Sequence, residues 1–537
     1  MTTRPRTPVR QDFRQAVKWR EAFTDTHWVS VDADIRATGP SYPSEEARRA
    51  ARTAAARRDA APGGAEGGPD PVRWLLRAAP LALVAVILAV VLRLSALHLG
   101  NDDTWFHLVL GHRFRTGWSL TAPGGLTPFA TSGWVPTQWS TEVLASLLED
   151  RWGLPGVAWL FGALYLALVV GTYLSCRTRG RPLAAVVPTG LLVLGAAPVL
   201  SARPQVVSLV LLTVTVAAWL RTADDGRPRW WLVPMTWVWA TAHGLWSAGV
   251  LLGLVCWVGL VLDRRVTGRR SLAVLAVPVL SLVASTLTPV GPRLLTSQLA
   301  VSARTGLIAE WGPTSFRSVP ALAVALMLGL LTVVWVRRGG LSWSRVLLLA
   351  LAAGWTLLVS RRVPLGGVVA APLLAEALER ALADADVADG SPGAGRRERF
   401  ALAALATAYL VVLALAAPRL AAAPADEPTA LAPRLAALPS GSTVLVEDGI
   451  GGWLEWRVPH VHPVIDGMLD AYPVGYIEDF LATTRVEPGW RSFVAACGAR
   501  AAVLDRGSPL SAAMQERLGW RVLQRDRSWV YLAAPGA

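Results

Sequence analysis

The run Asn101-Asp102-Asp103-Thr104-Trp105-Phe106-His107 sets two adjacent carboxylates and an imidazole directly after a long apolar stretch. Where a membrane segment meets water, an ionised acid is costly to hold unless it has a partner or a task. A carboxylate in that place can take the proton of a hydroxyl within hydrogen-bond reach. His107 stands four residues after Asp103, about one helical turn away, close enough to orient it or share its proton. Asp102 equally suits the N-cap of a helix beginning near Thr104. The pair also suits a divalent cation, because hard cations prefer oxygen ligands.

Other polar residues stand at corresponding ends of later apolar runs. Arg203 and Gln205 open one of them in Ser201-Ala202-Arg203-Pro204-Gln205, and His243 precedes Gly244 at the turn between two others. Arg293 follows Thr288-Pro289-Val290-Gly291-Pro292, Arg304, Glu310 and Trp311 come after it, and Arg361 and Arg362 close a further run. Singly, such an arginine is usually a snorkelling anchor or a lipid-headgroup contact, and such a histidine a helix-end hydrogen-bonding group. Together, cations gathered on one face beside two carboxylates suit a phosphate-bearing substrate and an acid/base pair. No Walker loop, dinucleotide fingerprint or His-Glu-x-x-His run occurs, and Gly124-Gly125 and Gly449-Ile450-Gly451-Gly452 read as turns.

The elements that must hold these residues are membrane helices. Of 537 residues, 53% are hydrophobic and only 17% charged, which suits a multi-pass membrane protein. The net charge of +14 is almost wholly arginine, set at the ends of apolar runs, and this speaks for membrane orientation and against nucleic-acid binding. The 25 tryptophans fit interfacial belts, and three cysteines make no disulfide framework. Eleven spans of about 20 residues each are expected, at roughly 75–98, 154–175, 182–200, 203–220, 229–243, 244–262, 271–289, 318–336, 343–360, 362–380 and 400–417. With the amino terminus inside, the loops Arg177–Arg181, Arg221–Arg229, Asp263–Arg270, Arg337–Arg345 and Glu379–Arg399 all fall in the cytoplasm, as the positive-inside rule asks. The acids after the first span and the stray arginines then fall outside. Residues 1–72 read as a cytoplasmic, Arg/Ala-rich flexible arm, and 73–420 as the transmembrane domain with a first outer loop over 99–138. Residues 421–537 have the grammar of a small extracytoplasmic α/β domain. Thr443–Val446 and Ala501–Leu504 are expected as buried strands, and Val522-Leu523 with Trp529–Leu532 as a hairpin turning at Arg525–Ser528. The acids Asp448, Asp466 and Asp470 are read as turn residues.

In their order along the chain, Asp103-x-x-x-His107 with Gly111, Gln138-Trp139-x-x-Glu142, Arg203-Pro204-Gln205, Ala242-His243-Gly244, Thr288-Pro289-x-Gly291, Glu310-Trp311, Arg362-x-Pro364 and Gly451-Gly452-Trp453-Leu454 with Ile465-Asp466-Gly467 carry a resemblance. Over most of residues 73–537 the chain resembles a family of bacterial multi-spanning membrane proteins related to GT-C glycosyltransferases. The resemblance implies transfer of a sugar from a polyprenyl-phosphate donor to a cell-envelope glycan, lipid or protein on the extracytoplasmic side of the plasma membrane. It makes Asp103 the catalytic base, with Asp102 and His107 beside it. Arg203, Arg293, Arg361 and Arg362 then face the donor phosphate, and Gln205, His243 and Glu310 the remaining substrate. Two other functions fit a chain of this make-up. A transporter places its site near the bilayer midplane and shows internal repeats, and a non-catalytic scaffold presents the carboxyl-terminal domain to an envelope partner.

Overall fold

In a computed structural model the described residues are 71–97, 101–302, 312–339, 341–384, 392–422 and 427–536. The expected arm over residues 1–72 and the site candidate Glu310 lie outside them, the arm but for its last two residues. Asp70–Ala537 form one compact unit.

Each of the eleven expected spans carries a helix. The chain opens with α1 (Pro71–Leu97), then two 14-residue helices at the mouth of the bundle, α2 (Asp102–Arg115) and α3 (Trp139–Trp152). The bundle continues as α4 (Leu154–Arg177), α5 (Pro182–Ala196), α6 (Gln205–Asp225), α7 (Leu232–Ala242), α8 (Trp246–Leu262) and α9 (Gly268–Thr286). After α10 (Arg293–Ser302) come α11 (Val319–Arg338), α12 (Trp343–Leu358), α13 (Val363–Asp384) and α14 (Arg396–Ala422). Among the described residues six stretches are long and apolar enough to cross a membrane: Leu154–Arg177, Pro182–Val199, Gln205–Asp225, Gly268–Thr286, Val319–Arg338 and Arg396–Arg419. Ala79–Ser95, Trp246–Leu262 and Trp343–Leu358 are shorter apolar helices. The chain is a multi-pass membrane protein.

Helix α13 is the axis of the bundle. It is buried almost without a break from Val363 to Ala377 and packs against α4, α5, α6, α11 and α12. Its inner half is small residues, Gly366, Gly367, Ala370 and Ala371, which let neighbouring backbones come close where apolar burial alone gives no drive to associate. The periphery shows the complementary pattern. Leu322, Leu326, Leu330, Val333 and Val336 form an exposed stripe at helical spacing along α11, the kind of surface that hydrocarbon covers.

The tail folds into α and β elements. After α15 (Ala432–Ala436) come β1 (Thr443–Val446), α16 (Asp448–Arg457), β2 (His462–Pro463), α17 (Val474–Thr484), α18 (Trp490–Ala496), β3 (Ala501–Asp505), α19 (Pro509–Leu518), β4 (Arg521–Arg525) and β5 (Trp529–Ala533). The sheet order is β2-β1-β3-β5-β4, with β1 parallel to β2 and β3 and the β4–β5 hairpin antiparallel. Val444, Leu445 and Val446 are fully buried, the mark of a strand covered on both faces.

The two ends of the bundle differ in how their charges are paired. Helix α6 runs from Gln205 to Asp225, and α13 runs from beside Arg361 and Arg362 to Glu376 and Glu379. A helix of that length spans about 30 Å. At the far end the five arginine-rich loops meet. Arg177 donates to Glu398 at 2.7 Å, Arg181 to Glu379 at 3.1 Å, Arg179 to Asp224 at 2.7 Å and Arg345 to Glu376 at 2.9 Å, while the Ser344 N–H donates to Asp263 at 3.0 Å. At the near end lie Asp102 and Asp103, with Asp448, Glu455 and Asp466 of the tail.

Candidate active site at the acidic end

Helix α2 begins at Asp102, two residues before the point the sequence indicates. Asn101 is its cap, accepting the Asp103 N–H at 3.2 Å, so Asp102 and Asp103 are first-turn residues. The positive end of the helix dipole favours acids there. The turn before α6 is pinned onto α2 by the Thr104 hydroxyl, which donates to the Ala202 carbonyl at 3.1 Å. That contact sets Arg203 over Asp103: Nη1 donates to Asp103 Oδ2 at 3.0 Å and Nε to Ser201 Oγ at 2.9 Å. The arginine is buried, while Asp103 is 31% exposed.

The two acids therefore live in different surroundings. Asp103 shares the charge of Arg203. Asp102 reaches solvent on one side, but partial burial, and then Asp103, Asp448 and Glu427, outweigh Arg203 and push its carboxyl up to about 6. Asp448 is raised as well, by burial first and by Asp103 after it.

The tail forms one wall of this acidic cleft. A Cβ on Gly451 would fall 1.8 Å from the Ile465 carbonyl oxygen, so only glycine lets α16 lie against the turn at 465–467. A Cβ on Gly449 would meet Asp102 Oδ2 at 2.8 Å, and one on Gly467 would meet Asp103 Oδ1 at 3.8 Å. Trp105 and Trp456 pack with centroids 4.6 Å apart, and the Trp105 indole N–H donates to Glu427 at 2.9 Å. Of the acids read as turn residues, Asp466 does bind its own turn, accepting the Met468 N–H at 2.8 Å, yet it is also fully buried beside Glu455. Burial holds both carboxyls above the ordinary range, and at Glu455 the charge of Asp466 adds to it.

His107 does not turn to Asp103, as its spacing suggests. Its Nδ1 lies 2.8 Å from Glu142 Oε1 on α3, and both side chains are buried. With the carboxylate accepting, Nδ1 carries the proton of that bond. Gly111 makes this pairing possible, because a Cβ there would come within 2.1 Å of the Glu142 carbonyl oxygen. His243 is likewise positioned by a chain of bonds, with the Trp239 indole donating to Ser208 Oγ at 2.7 Å and Ser208 lying 2.8 Å from His243 Nδ1. His243 lies within electrostatic reach of Arg361, His107 and Arg203. Gln205 is buried one turn before Ser208.

The remaining candidates separate. Arg293 donates to the carbonyls of Thr121 and Trp134, the latter at 3.3 Å, and so pins the 116–138 loop. Arg362 makes no side-chain hydrogen bond or ion pair with a described residue. Among the described residues no group of three or more His, Cys, Asp or Glu side chains converges as a metal-ligand set. Glu142, Ser208 and Glu455 were not singled out as site residues; of the three, only Glu142 has a sequence signal, the spacing Gln138-Trp139-x-x-Glu142.

No family model matches the chain, and no curated protein matches its sequence. Solved structures do match in shape. The archaeal oligosaccharyltransferase AglB from Archaeoglobus fulgidus, in complex with an inhibitory peptide and a dolichol-phosphate, is similar with a TM-score of 0.53 at 12% identity, over 82% of this chain and 70% of that one. The Archaeoglobus fulgidus oligosaccharyltransferase in complex with Zn and sulfate gives 0.50 at 14% identity, over 81% and 68%. ArnT from Cupriavidus metallidurans in the apo state gives 0.49 at 16% identity, over 85% and 98%. The chain shares its fold with the Archaeoglobus fulgidus oligosaccharyltransferase AglB.

Proposed function

We propose that this protein transfers a sugar from a polyprenyl-phosphate donor to a cell-envelope acceptor on the extracytoplasmic side of the membrane. The observation that carries the reading is the pair Asp102 and Asp103 beside the buried Arg203, at the end of the bundle opposite the arginine-rich loops. The positive-inside rule puts those loops in the cytoplasm and the acidic cleft outside. The likeness to a fold whose solved member holds a dolichol-phosphate supports a lipid-phosphate donor.

The acceptor hydroxyl attacks the anomeric carbon, the bond from that carbon to the phosphate oxygen breaks, and the lipid phosphate leaves with the bonding pair. The hydroxyl proton goes to a carboxylate. Asp102 suits that task better than Asp103, to which the sequence reading gave it. A base works best with a pKa near the working pH, and Asp102 is pushed up to about 6, whereas Asp103 is engaged by Arg203. Asp103 then holds Arg203 in place, and Arg203, Arg361 and Arg362 offset the charge that grows on the departing phosphate. Arg293 is assigned to holding the loop. The α/β tail walls the cleft and shapes acceptor entry without supplying the base.

Two measurements test this reading. Purified protein in lipid should consume at least one of a panel of polyprenyl-phosphate sugars when given envelope acceptors, and turnover of none would overturn it. In cells, a membrane-impermeant thiol reagent should label Ala122→Cys and Ala512→Cys but not Arg269→Cys. The native Cys176, Cys256 and Cys497 are buried and give a quiet background. Labelling of only one of the first two would overturn the orientation.

A further inference from the structure

Beneath Asp103 and Arg203, several buried polar groups of three helix starts have no hydrogen-bond partner. Glu142 and Gln205 are each 1% exposed, with Glu142 Oε2 and both the Oε1 and Nε2 of Gln205 unpaired. The indole nitrogens of Trp246, also 1% exposed, and of Trp139 are unpaired and buried too.

These groups belong to one neighbourhood. Trp139 stands three residues before Glu142 on α3, so the two share a face. The Thr141 hydroxyl donates to the Ala242 carbonyl at 2.9 Å, which brings α3 beside His243. Gln205 stands three residues before Ser208, whose hydroxyl meets His243 Nδ1. Trp246 opens α8 three residues after His243, on the face of Gly249, where a Cβ would touch the Trp239 ring at 2.7 Å. Trp239 in turn donates to the same Ser208. His107 closes the set through Glu142.

Buried polar groups are almost always paired, and a glutamine with both amide atoms unpaired is a poor choice for a permanent apolar contact. The neighbourhood offers indole and amide N–H donors alongside amide and carboxylate oxygen acceptors, a mixture that a single ion would not use. A sugar hydroxyl donates and accepts at once, so a ring bearing several hydroxyls matches the set. We propose that Glu142, Gln205, Trp139 and Trp246 line the subsite that reads the hydroxyls of a neutral donor sugar while Arg203 sits by its phosphate. This rests on the polyprenyl-phosphate donor reading above.

The test measures binding to the full chain in nanodiscs with undecaprenyl phosphate alone and with undecaprenyl-phosphate-linked glucose, mannose, galactose and arabinose. The wild type should bind at least one sugar-bearing lipid at least about tenfold more tightly than the bare phosphate, as one or more charged or neutral hydrogen bonds would give. Gln205→Leu, which keeps size, and Trp246→Phe, which removes the indole N–H, should each erase most of that preference and leave bare-phosphate affinity unchanged. Unchanged bare-phosphate binding also shows that the variants fold. A wild type without sugar preference, or variants that retain it, would overturn the subsite and leave the donor-phosphate reading standing. Failure of every lipid to bind the wild type would overturn the donor reading and the subsite with it.

Discussion

At the arginine-rich end of the bundle Arg177 meets Glu398, Arg181 meets Glu379, and Arg179 and Arg345 share Asp224 and Glu376. At the acidic end Arg203 meets Asp103, while burial above all holds Asp102, Asp448, Glu455 and Asp466 over the ordinary carboxylate range. The same residue types are thus used in two ways. Paired across loops, they fasten helix ends to each other. Crowded in a half-closed cleft, they hold protons and charge in a condition that substrate chemistry can use.

The contrast predicts opposite responses to substitution. Arg177→Ala removes the guanidinium bonds to the half-buried Glu398, which keeps its bond from the Tyr173 hydroxyl, and should cost about 1–3 kcal/mol of stability, read as earlier thermal unfolding, with turnover per folded molecule unchanged. A loss of turnover without a loss of stability would erase the distinction between the two ends. Asp102→Asn should do the reverse, cutting turnover by about 10²-fold or more, as for a lost general base, with lipid binding and melting behaviour nearly as in the wild type. Arg203→Ala should weaken binding of undecaprenyl phosphate by roughly 1.5–3 kcal/mol, the scale of a hydrogen bond to a charged group; equal binding would remove Arg203 from the phosphate.

The smallest effect is in pH. Asp102 takes a proton only when ionised, so turnover should rise as pH climbs through about 6. Asp448 disfavours that ionised form. Asp448→Asn should therefore let Asp102 lose its proton at lower pH and move the acid limb of the rate profile downward. A limb that stays put or moves upward would break the electrostatic link between the tail and the base.

Much of this architecture is legible in the residues. Apolar run length placed the helices, and β-branched runs bounded by turn residues placed β1, β3 and the β4–β5 hairpin. The five arginine-rich loops gather at one end, as their spacing along the sequence indicates, because one end of a bundle collects every second loop. The pairings inside the site were less legible. Spacing along one helix suggested His107 for Asp103, but a buried side chain takes its partner from whichever helix faces it, and α3 brings Glu142. Arg203 reaches Asp103 only because Thr104 pins the turn at Ala202. The glycines at 449–452, read as turns, lie in the first half of α16, where they admit the backbone at 465–467 and the acids of α2. That helix is short and its glycines are poor helix formers, so local propensity argues against what tertiary contact imposes.

The most direct measurement is sugar transfer from polyprenyl-phosphate donors in proteoliposomes, comparing the wild type with Asp102→Asn and Arg177→Ala at equal amounts of folded protein. The account predicts full transfer for the wild type and Arg177→Ala and a loss of about 10²-fold or more for Asp102→Asn. Wild-type transfer by Asp102→Asn would contradict it.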